Sequence, residues 1–205
     1  MSQAIHHDEH YDAEGSKIGM WLFIFTELLL FGGLFIIYSV YRYMNPDAFH
    51  LAAEELNRTV GSINTIILLI SSMTIAMSTS ALQKGQKGTT ILLLEITFML
   101  GLIFLVNKYF EWGVKFDHGI FPGSQHMLDT LSQGEILFFG LYFAMTGLHA
   151  IHIIVGMIVI GFALAGVSKG KVHADRSALL ENAGLYWHLV DLIWIFLFPL
   201  FYLIH

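Results

Sequence analysis

The sequence contains no cysteine, only three prolines and very little charge. Asp, Glu, Lys and Arg together make up only 13% of its 205 residues. Without cysteine the chain cannot form a disulfide framework, a thiolate zinc site, an iron–sulfur cluster or a thiol nucleophile. Ten basic residues stand against sixteen acids, and the basic residues form no stripe, so nucleic acid is not expected as a partner.

Apolar residues dominate instead, at 56% of the chain with a mean hydropathy of +0.66. A helix needs about 20 apolar residues to cross a hydrocarbon core of roughly 30 Å. Runs of that size predict transmembrane helices at residues 18–41, 60–82, 89–110, 134–167 and 183–204. The runs are continuous, whereas barrel strands would alternate in polarity. The predicted fold class is therefore all-α, a polytopic membrane protein built as a bundle of five transmembrane helices.

The two ends of the chain are predicted to lie on opposite sides of the membrane. Residues 1–16 are polar and lack the basic start and apolar core of a signal peptide, so we predict a mobile tail whose His6, His7 and His10 are solvated. The five-helix domain then covers residues 17–205. Counting Lys and Arg near the membrane favours an N-terminus inside and a C-terminus outside. The count compares Lys17, Lys84, Lys87, Lys169, Lys171 and Arg176 inside with Arg42, Arg58, Lys108 and Lys115 outside.

A few ionisable side chains fall within the predicted spans, where each costs from about 2.5 kcal/mol upward. They are Glu27 in the first span, Glu95 in the third, His149 and His152 in the fourth, and His188 and Asp191 in the fifth. Glu27 and Asp191 lie at similar depths, about 12 to 14 Å from their span starts. We therefore expect them to share a polar seam, and we expect loss of Asp191 to weaken assembly. Residues three apart, such as His149 and His152, are expected to share a helix face.

Three interpretations of these polar residues are open. They form hydrogen bonds between helices, as buried polar groups usually do, or they serve proton movement or lipid contact. The third interpretation is a metal site, since imidazole and carboxylate bind iron, zinc or copper. No Glu-x-x-His pair occurs within a span, so a di-metal site of the bundle type is not expected. Haem ligation by a histidine stays open. We predict no catalytic residue and no metal in this chain.

Small residues indicate where helices approach closely. Ser72, Ala76 and Ser80 repeat every four residues in the second span, and Gly140, Ala144 and Gly147 nearly do so in the fourth. Both sets are predicted to be helix contacts. The abundant phenylalanines leave an apolar exterior for lipid or another subunit.

Five segments, in order along the chain, together resemble subunit III of the haem–copper respiratory oxidases. They are KIGMWLFIFTELLLFGG at residues 17–33, Asn64-Thr65 with Ser71 and Ser72, KYFEW at residues 108–112, GLHAIHIIVG at residues 147–156 and YWHLVDLIW at residues 186–194. The chain is similar to the shorter bacterial form of that subunit, which lacks the first two of seven helices. The resemblance covers nearly the whole chain, apart from the histidine-rich tail.

The resemblance implies a subunit without haem or copper in a proton-pumping oxidase of the bacterial inner membrane. Its main partner would be subunit I, which carries haem and copper with subunit II, and other respiratory subunits would join them. Glu27 matches the glutamate of this family that reacts with carbodiimides. The resemblance also implies support of proton uptake and bound phospholipid at unknown residues. The segment at Lys108–Trp112 adds Glu111 to the polar site residues and favours cytochrome c as electron donor.

Other functions remain open at this point. The chain is alternatively subunit III of a quinol oxidase, or a homologue that accompanies nitric oxide reductase. A stand-alone membrane metalloenzyme using the histidines and acids is a further alternative, as is a transporter built around Glu27 and Asp191. The absence of inverted repeats and broken helices argues against the transporter.

Overall fold

The computed structural model describes residues 13–204 of the chain, with side chains from residue 15 onward. Regular structure in this part is helical throughout, without a strand. The α-helices are α1 (Ala13–Met44), α2 (Pro46–Glu54), α3 (Arg58–Gln83), α4 (Lys87–Asp117), α5 (Gln125–Thr130), α6 (Gln133–Ser168) and α7 (Ala178–Tyr202), and a 3-10 helix covers Ala174–Arg176. The short helices α2 and α5 were not predicted from the sequence.

The five long helices α1, α3, α4, α6 and α7 are each long and apolar enough to cross a membrane. The predicted fold class and number of spans are therefore confirmed. Three helices extend beyond the predicted spans: α1 begins at Ala13, within the predicted tail, α4 continues to Asp117, and α7 begins at Ala178. The end turns carry charged side chains that form ion pairs or hydrogen bonds, so hydropathy alone placed these ends too early or too late. Residues 1–12, with the tail histidines, lie outside the described residues.

Local signals in the sequence explain several helix ends. Ser132 and Glu135 form a capping box at the start of α6, each side chain accepting from the other's backbone N–H. The Asn57 side chain accepts from the first backbone N–H groups of α3. Between α3 and α4, Gly85 has a φ of 71°, which allows a turn of only a few residues. These short connections hold consecutive helices side by side.

Helix α7 is the central helix of the bundle, packing against α1, α3 and α6. Its Trp187 indole lies between Gly101 of α4 and Gly156 of α6. We call these two positions the glycine notches, because the missing side chains leave room for the ring. A Cβ atom at either glycine would lie 2.8 Å from the indole, closer than van der Waals contact allows. The indole N–H donates to the Ser71 hydroxyl of α3 at 2.9 Å. Trp187 therefore contacts three other helices at the centre of the core.

The predicted small-residue contact faces were wrong for most positions. On α3, the buried face carries Ser71, Thr74 and Ser78, whereas Ala76 and Ser80 are exposed. The three buried hydroxyls donate to carbonyls of their own helix. Two of them also bond to other helices, because Ser71 accepts from the Trp187 indole of α7 and Thr74 is bonded to the Thr97 hydroxyl of α4 at 2.7 Å. On α6, Ala144 is exposed and a Cβ at Gly140 would meet no atom within 4 Å, although Gly147 does face Trp112. Residue size alone did not distinguish the packed face from its neighbour.

Candidate functional site

A carboxyl–imidazole pair joins α1 to α6 within the membrane-spanning part of the bundle. Glu27 Oε2 lies 3.0 Å from His152 Nε2. The two side chains are 14% and 12% exposed, so the pair is close to the surface of the bundle but largely shielded. The Phe31 ring meets the imidazole edge-on at 5.4 Å, and the Tyr186 ring stacks on it at 6.5 Å. The aromatic rings fix the imidazole plane toward Glu27.

The hydrogen bonds of His152 determine how many protons this pair shares. His152 Nδ1 lies 2.7 Å from the carbonyl oxygen of Leu148, which only accepts, so Nδ1 carries a proton. One further proton then lies between Nε2 and the Glu27 carboxyl. Either Glu27 is neutral and donates to Nε2, or an imidazolium donates to a carboxylate. The pair has zero net charge in both forms, which makes it suited to accepting or releasing a single proton.

The predicted seam between Glu27 and Asp191 is not formed. No hydrogen bond connects the two side chains within the described residues, and the partner of Glu27 comes from α6 instead. Asp191 faces Ser72 on α3. The Ser72 hydroxyl is bonded to His188 Nδ1 at 2.7 Å, and both oxygens of Asp191 are left without a hydrogen bond. Equal depth places two residues at the same level of the membrane. It does not determine the direction in which each side chain points from its helix.

His149 and His152 of α6 lie in different surroundings, although they are only three residues apart. His149 is fully buried, and neither of its nitrogens has a hydrogen-bond partner. Trp194 stacks on its ring at 5.2 Å and Phe104 meets it edge-on at 5.5 Å. Both ring nitrogens are enclosed by protein, so the residues around His149 leave no space for a haem on this histidine. Over residues 15–204, no three His, Asp or Glu side chains are grouped to hold a metal ion.

A second polar cluster joins α4, α6 and α7 near the opposite end of the bundle from Lys17. The buried Lys108 ammonium donates to Glu111 at 3.2 Å, to the Tyr142 hydroxyl at 3.1 Å and to the Tyr202 hydroxyl at 2.8 Å. Both tyrosine hydroxyls in turn donate to Glu111 Oε1, at 2.6 Å and 2.5 Å. Every charged atom of the cluster has a partner, so its evident role is to fasten three helices together.

Glu111 was named as a site residue from the family resemblance, whereas Lys108, Tyr142 and Tyr202 were not predicted to join it. Lys108 was counted among the cations outside the membrane, although the third span was predicted to extend to residue 110. Opposite charges three residues apart on one helix were the available signal. Tyr142 and Tyr202 carried no local signal, since they lie 34 and 94 residues from Lys108 along the chain.

Glu95 lies apart from all of these groups. It is exposed on the outer surface of α4. None of the hydrogen bonds or ion pairs within residues 15–204 involves its carboxyl. The predicted set of polar residues therefore divides into the Glu27–His152 pair, the Ser72–His188–Asp191 group, the enclosed His149, the Lys108–Glu111 cluster and an outward-facing Glu95.

Comparison with known proteins decides the family. The sequence profile of the family described as cytochrome c oxidase subunit III matches residues 2–205. This chain belongs to that family. The match covers all five spans and confirms the resemblance predicted from the ordered segments.

Individual relatives in the subunit III family include both electron-donor classes. The chain is 29% identical to the cytochrome c oxidase subunit 3 of Thermostichus vulcanus, over 97% of this chain and 91% of that protein. It is 27% identical to the cytochrome bo(3) ubiquinol oxidase subunit 3 of Pseudomonas aeruginosa, over 96% and 89%. It is also 30% identical to the heme-copper oxidase subunit I+III of Aeropyrum pernix, over 96% of this chain but only 24% of that longer protein.

Membership in the subunit III family confirms the predicted function at that level. The chain is a multi-pass membrane protein and an accessory subunit III of the haem–copper oxidases, so it belongs to an oxidoreductase complex. The assignment of Glu27, Glu95, Glu111, His149, His152, His188 and Asp191 to proton-related roles stays a prediction. The inside position of the N-terminus and the absence of a metal likewise stay predictions.

Proposed function

We propose that the chain is a non-catalytic subunit of a proton-pumping oxidase, and that its Glu27–His152 pair supports proton uptake by the catalytic subunit. The pair carries the proposal because its geometry holds one shared proton at zero net charge, close to the bundle surface. A neutral pair loses or gains one proton without ever burying two charges of the same sign. A pair of this kind can therefore hold one proton for transfer to a neighbouring group.

The non-catalytic role is supported by the state of the other polar groups. The Lys108–Glu111 cluster is fully hydrogen-bonded, and aromatic rings enclose His149. No described group combines open coordination positions with enough ligands for a redox centre. Haem and copper are accordingly assigned to partner subunits I and II, and subunit I is the main contact. The name of the Aeropyrum pernix relative, which joins subunits I and III, supports this choice of partner.

The proposed setting is a bacterial inner membrane with cytochrome c as the electron donor and subunit II and further respiratory subunits in the complex. The KYFEW segment at residues 108–112 supports the cytochrome c branch, and quinol is the alternative donor. Phospholipid is the proposed ligand of the apolar exterior. Side chains such as Leu29, Ile66 and Phe162 are exposed there on α1, α3 and α6, at membrane depth.

Purification of the chain in a mild detergent tests the proposal. We expect it to co-purify with a haem-containing, oxygen-consuming complex, identified by its haem spectrum and by mass spectrometry of the subunits. Recovery of this chain alone, with stoichiometric iron, copper or zinc, would instead support a stand-alone metalloenzyme. Replacing His152 with alanine should leave the haem spectrum unchanged and lower the ratio of protons pumped to electrons transferred. An unchanged ratio would contradict the role of the pair in proton uptake.

A further inference from the structure

Glu95 is a carboxyl on an otherwise apolar outer surface of α4. It lies eight residues after Lys87, about 12 Å along the helix axis, and no other charged residue occurs between residues 88 and 107. Its neighbours on the same exposed stripe are Leu92, Ile96, Met99, Leu102 and Ile103. Within the described part of the chain, no hydrogen bond or ion pair is formed with its side chain.

The outer surfaces of the other helices provide a comparison. The exposed side chains of α3 include Ile66, Ile70 and Met73, and those of α6 include Ile154 and Ile158, with no charged residue among them in the membrane-spanning part. Such surfaces suit lipid. A carboxyl at this depth does not, because hydrocarbon offers no hydrogen-bond donor and the glutamate side chain is too short to reach the headgroups. The α4 stripe therefore differs from the outer surfaces of α3 and α6, because it needs a partner that can form a hydrogen bond with Glu95.

A second copy of this chain is an unfavourable partner for the α4 stripe. In the ionised form, two Glu95 carboxylates brought toward each other by a twofold axis would repel, and neither would carry a hydrogen-bond donor. The required partner has an apolar transmembrane helix with one hydrogen-bond donor at the depth of Glu95. Interhelical hydrogen bonds of this kind are a usual means of holding membrane helices together.

We infer that the α4 stripe around Glu95 is the surface on which a transmembrane helix of the catalytic subunit docks, and that this helix donates a hydrogen bond to Glu95. This inference rests on the proposed function, which names subunit I as the main partner. It adds the face of contact and the chemistry of the residue opposite: a Ser, Thr, Asn, Gln, Tyr, Trp or basic side chain.

Photo-crosslinking in the intact complex tests the face of contact. A photoreactive amino acid is placed at Met99 on the α4 stripe and, as a matched control, at Ile158 on α6, because these side chains are similarly exposed at 52% and 54%. We expect the Met99 position to crosslink to the haem-bearing subunit and the Ile158 position to crosslink to lipid. Crosslinks to that subunit from Ile158 but not from Met99 would overturn the inference while leaving the proposed function intact. Failure of either variant to co-purify with haem would count against the proposed function instead.

Substitution of Glu95 tests the hydrogen bond. A hydrogen-bond donor opposite Glu95 and lipid opposite Glu95 predict opposite effects of the substitution on retention of the chain in the complex. With a donor opposite, Glu95→Leu leaves that donor unpaired, and the fraction of chain retained on the complex after a stringent detergent wash should fall at least about tenfold. Glu95→Gln keeps an accepting oxygen and should retain the chain nearly as well as the wild type. If lipid or a lipid headgroup covers Glu95, the leucine variant is retained as well as or better than the wild type, and the inference is wrong.

Discussion

Replacing Lys108 with methionine tests whether the buried cluster at the ends of α4, α6 and α7 stabilises the bundle. Lys108 and Glu111 are almost fully buried, with side chains 4% and 5% exposed. Methionine fills a similar volume but removes the ammonium and three hydrogen bonds. Breaking a buried ion pair by removing one partner typically costs about 3 to 5 kcal/mol. Here we expect about 3 kcal/mol, at the lower end, because Tyr142 and Tyr202 still donate to the remaining carboxylate.

The assay is unfolding of the detergent-solubilised subunit by titration with a denaturing detergent, followed by helix content. A double variant, Lys108→Met with Glu111→Leu, provides the control, since it removes both charges at once. We expect the double variant to lose less free energy of unfolding than the sum of the two single changes, because no uncompensated charge is left buried, although both tyrosine hydroxyls lose their acceptor. Equal stability of Lys108→Met and the wild type, or simple additivity of the two single changes, would refute the reasoning.

Three other substitutions test separate features of the molecule. Glu27→Gln should leave assembly intact and abolish labelling by a hydrophobic carbodiimide, measured by mass spectrometry; equal labelling of the variant would place the reactive carboxyl elsewhere. The sequence led us to expect that loss of Asp191 weakens assembly, but the structure reverses that expectation: Asp191→Leu should raise the free energy of unfolding by about 1 kcal/mol, because neither carboxyl oxygen is hydrogen-bonded and burial of such a group is costly. A loss of stability would show an undetected partner. Gly156→Ala should cost about 1 to 3 kcal/mol by forcing a methyl group into Trp187, while Gly140→Ala, which meets no atom within 4 Å, should be neutral or slightly stabilising. Similar melting curves for the two alanine variants would contradict the close packing of Trp187 against Gly156.

The spans and fold class were predictable because hydrocarbon imposes a simple rule on the sequence. Each run must be apolar and about 20 residues long, and all five satisfy this. The ends were less predictable, since they depend on pairing between side chains that are distant in sequence. Lys17 near the start of α1, for example, pairs at 2.8 Å with Glu181 in the first turn of α7, which begins at Ala178.

The partners of the polar residues were not predictable from depth and spacing. Depth placed Glu27 level with Asp191, but the direction of each side chain depends on how the helices are rotated against one another. That rotation is determined by packing at positions such as Gly101 and Gly156, which fit the Trp187 indole. Hydropathy located the polar residues within the spans apart from Lys108, and their pairing was determined by tertiary structure.

The placement of Trp187 limits how this subunit can influence its neighbours. An indole held between two glycine notches leaves its site only if α7 moves away from α4 or α6 by the thickness of a ring. Turning or sliding of single helices, which is a common way of transmitting signals through membrane bundles, is therefore blocked at the middle of the molecule. We therefore expect the helices that contact Trp187 to move together, so that the subunit presents a constant shape to its neighbours in the oxidase.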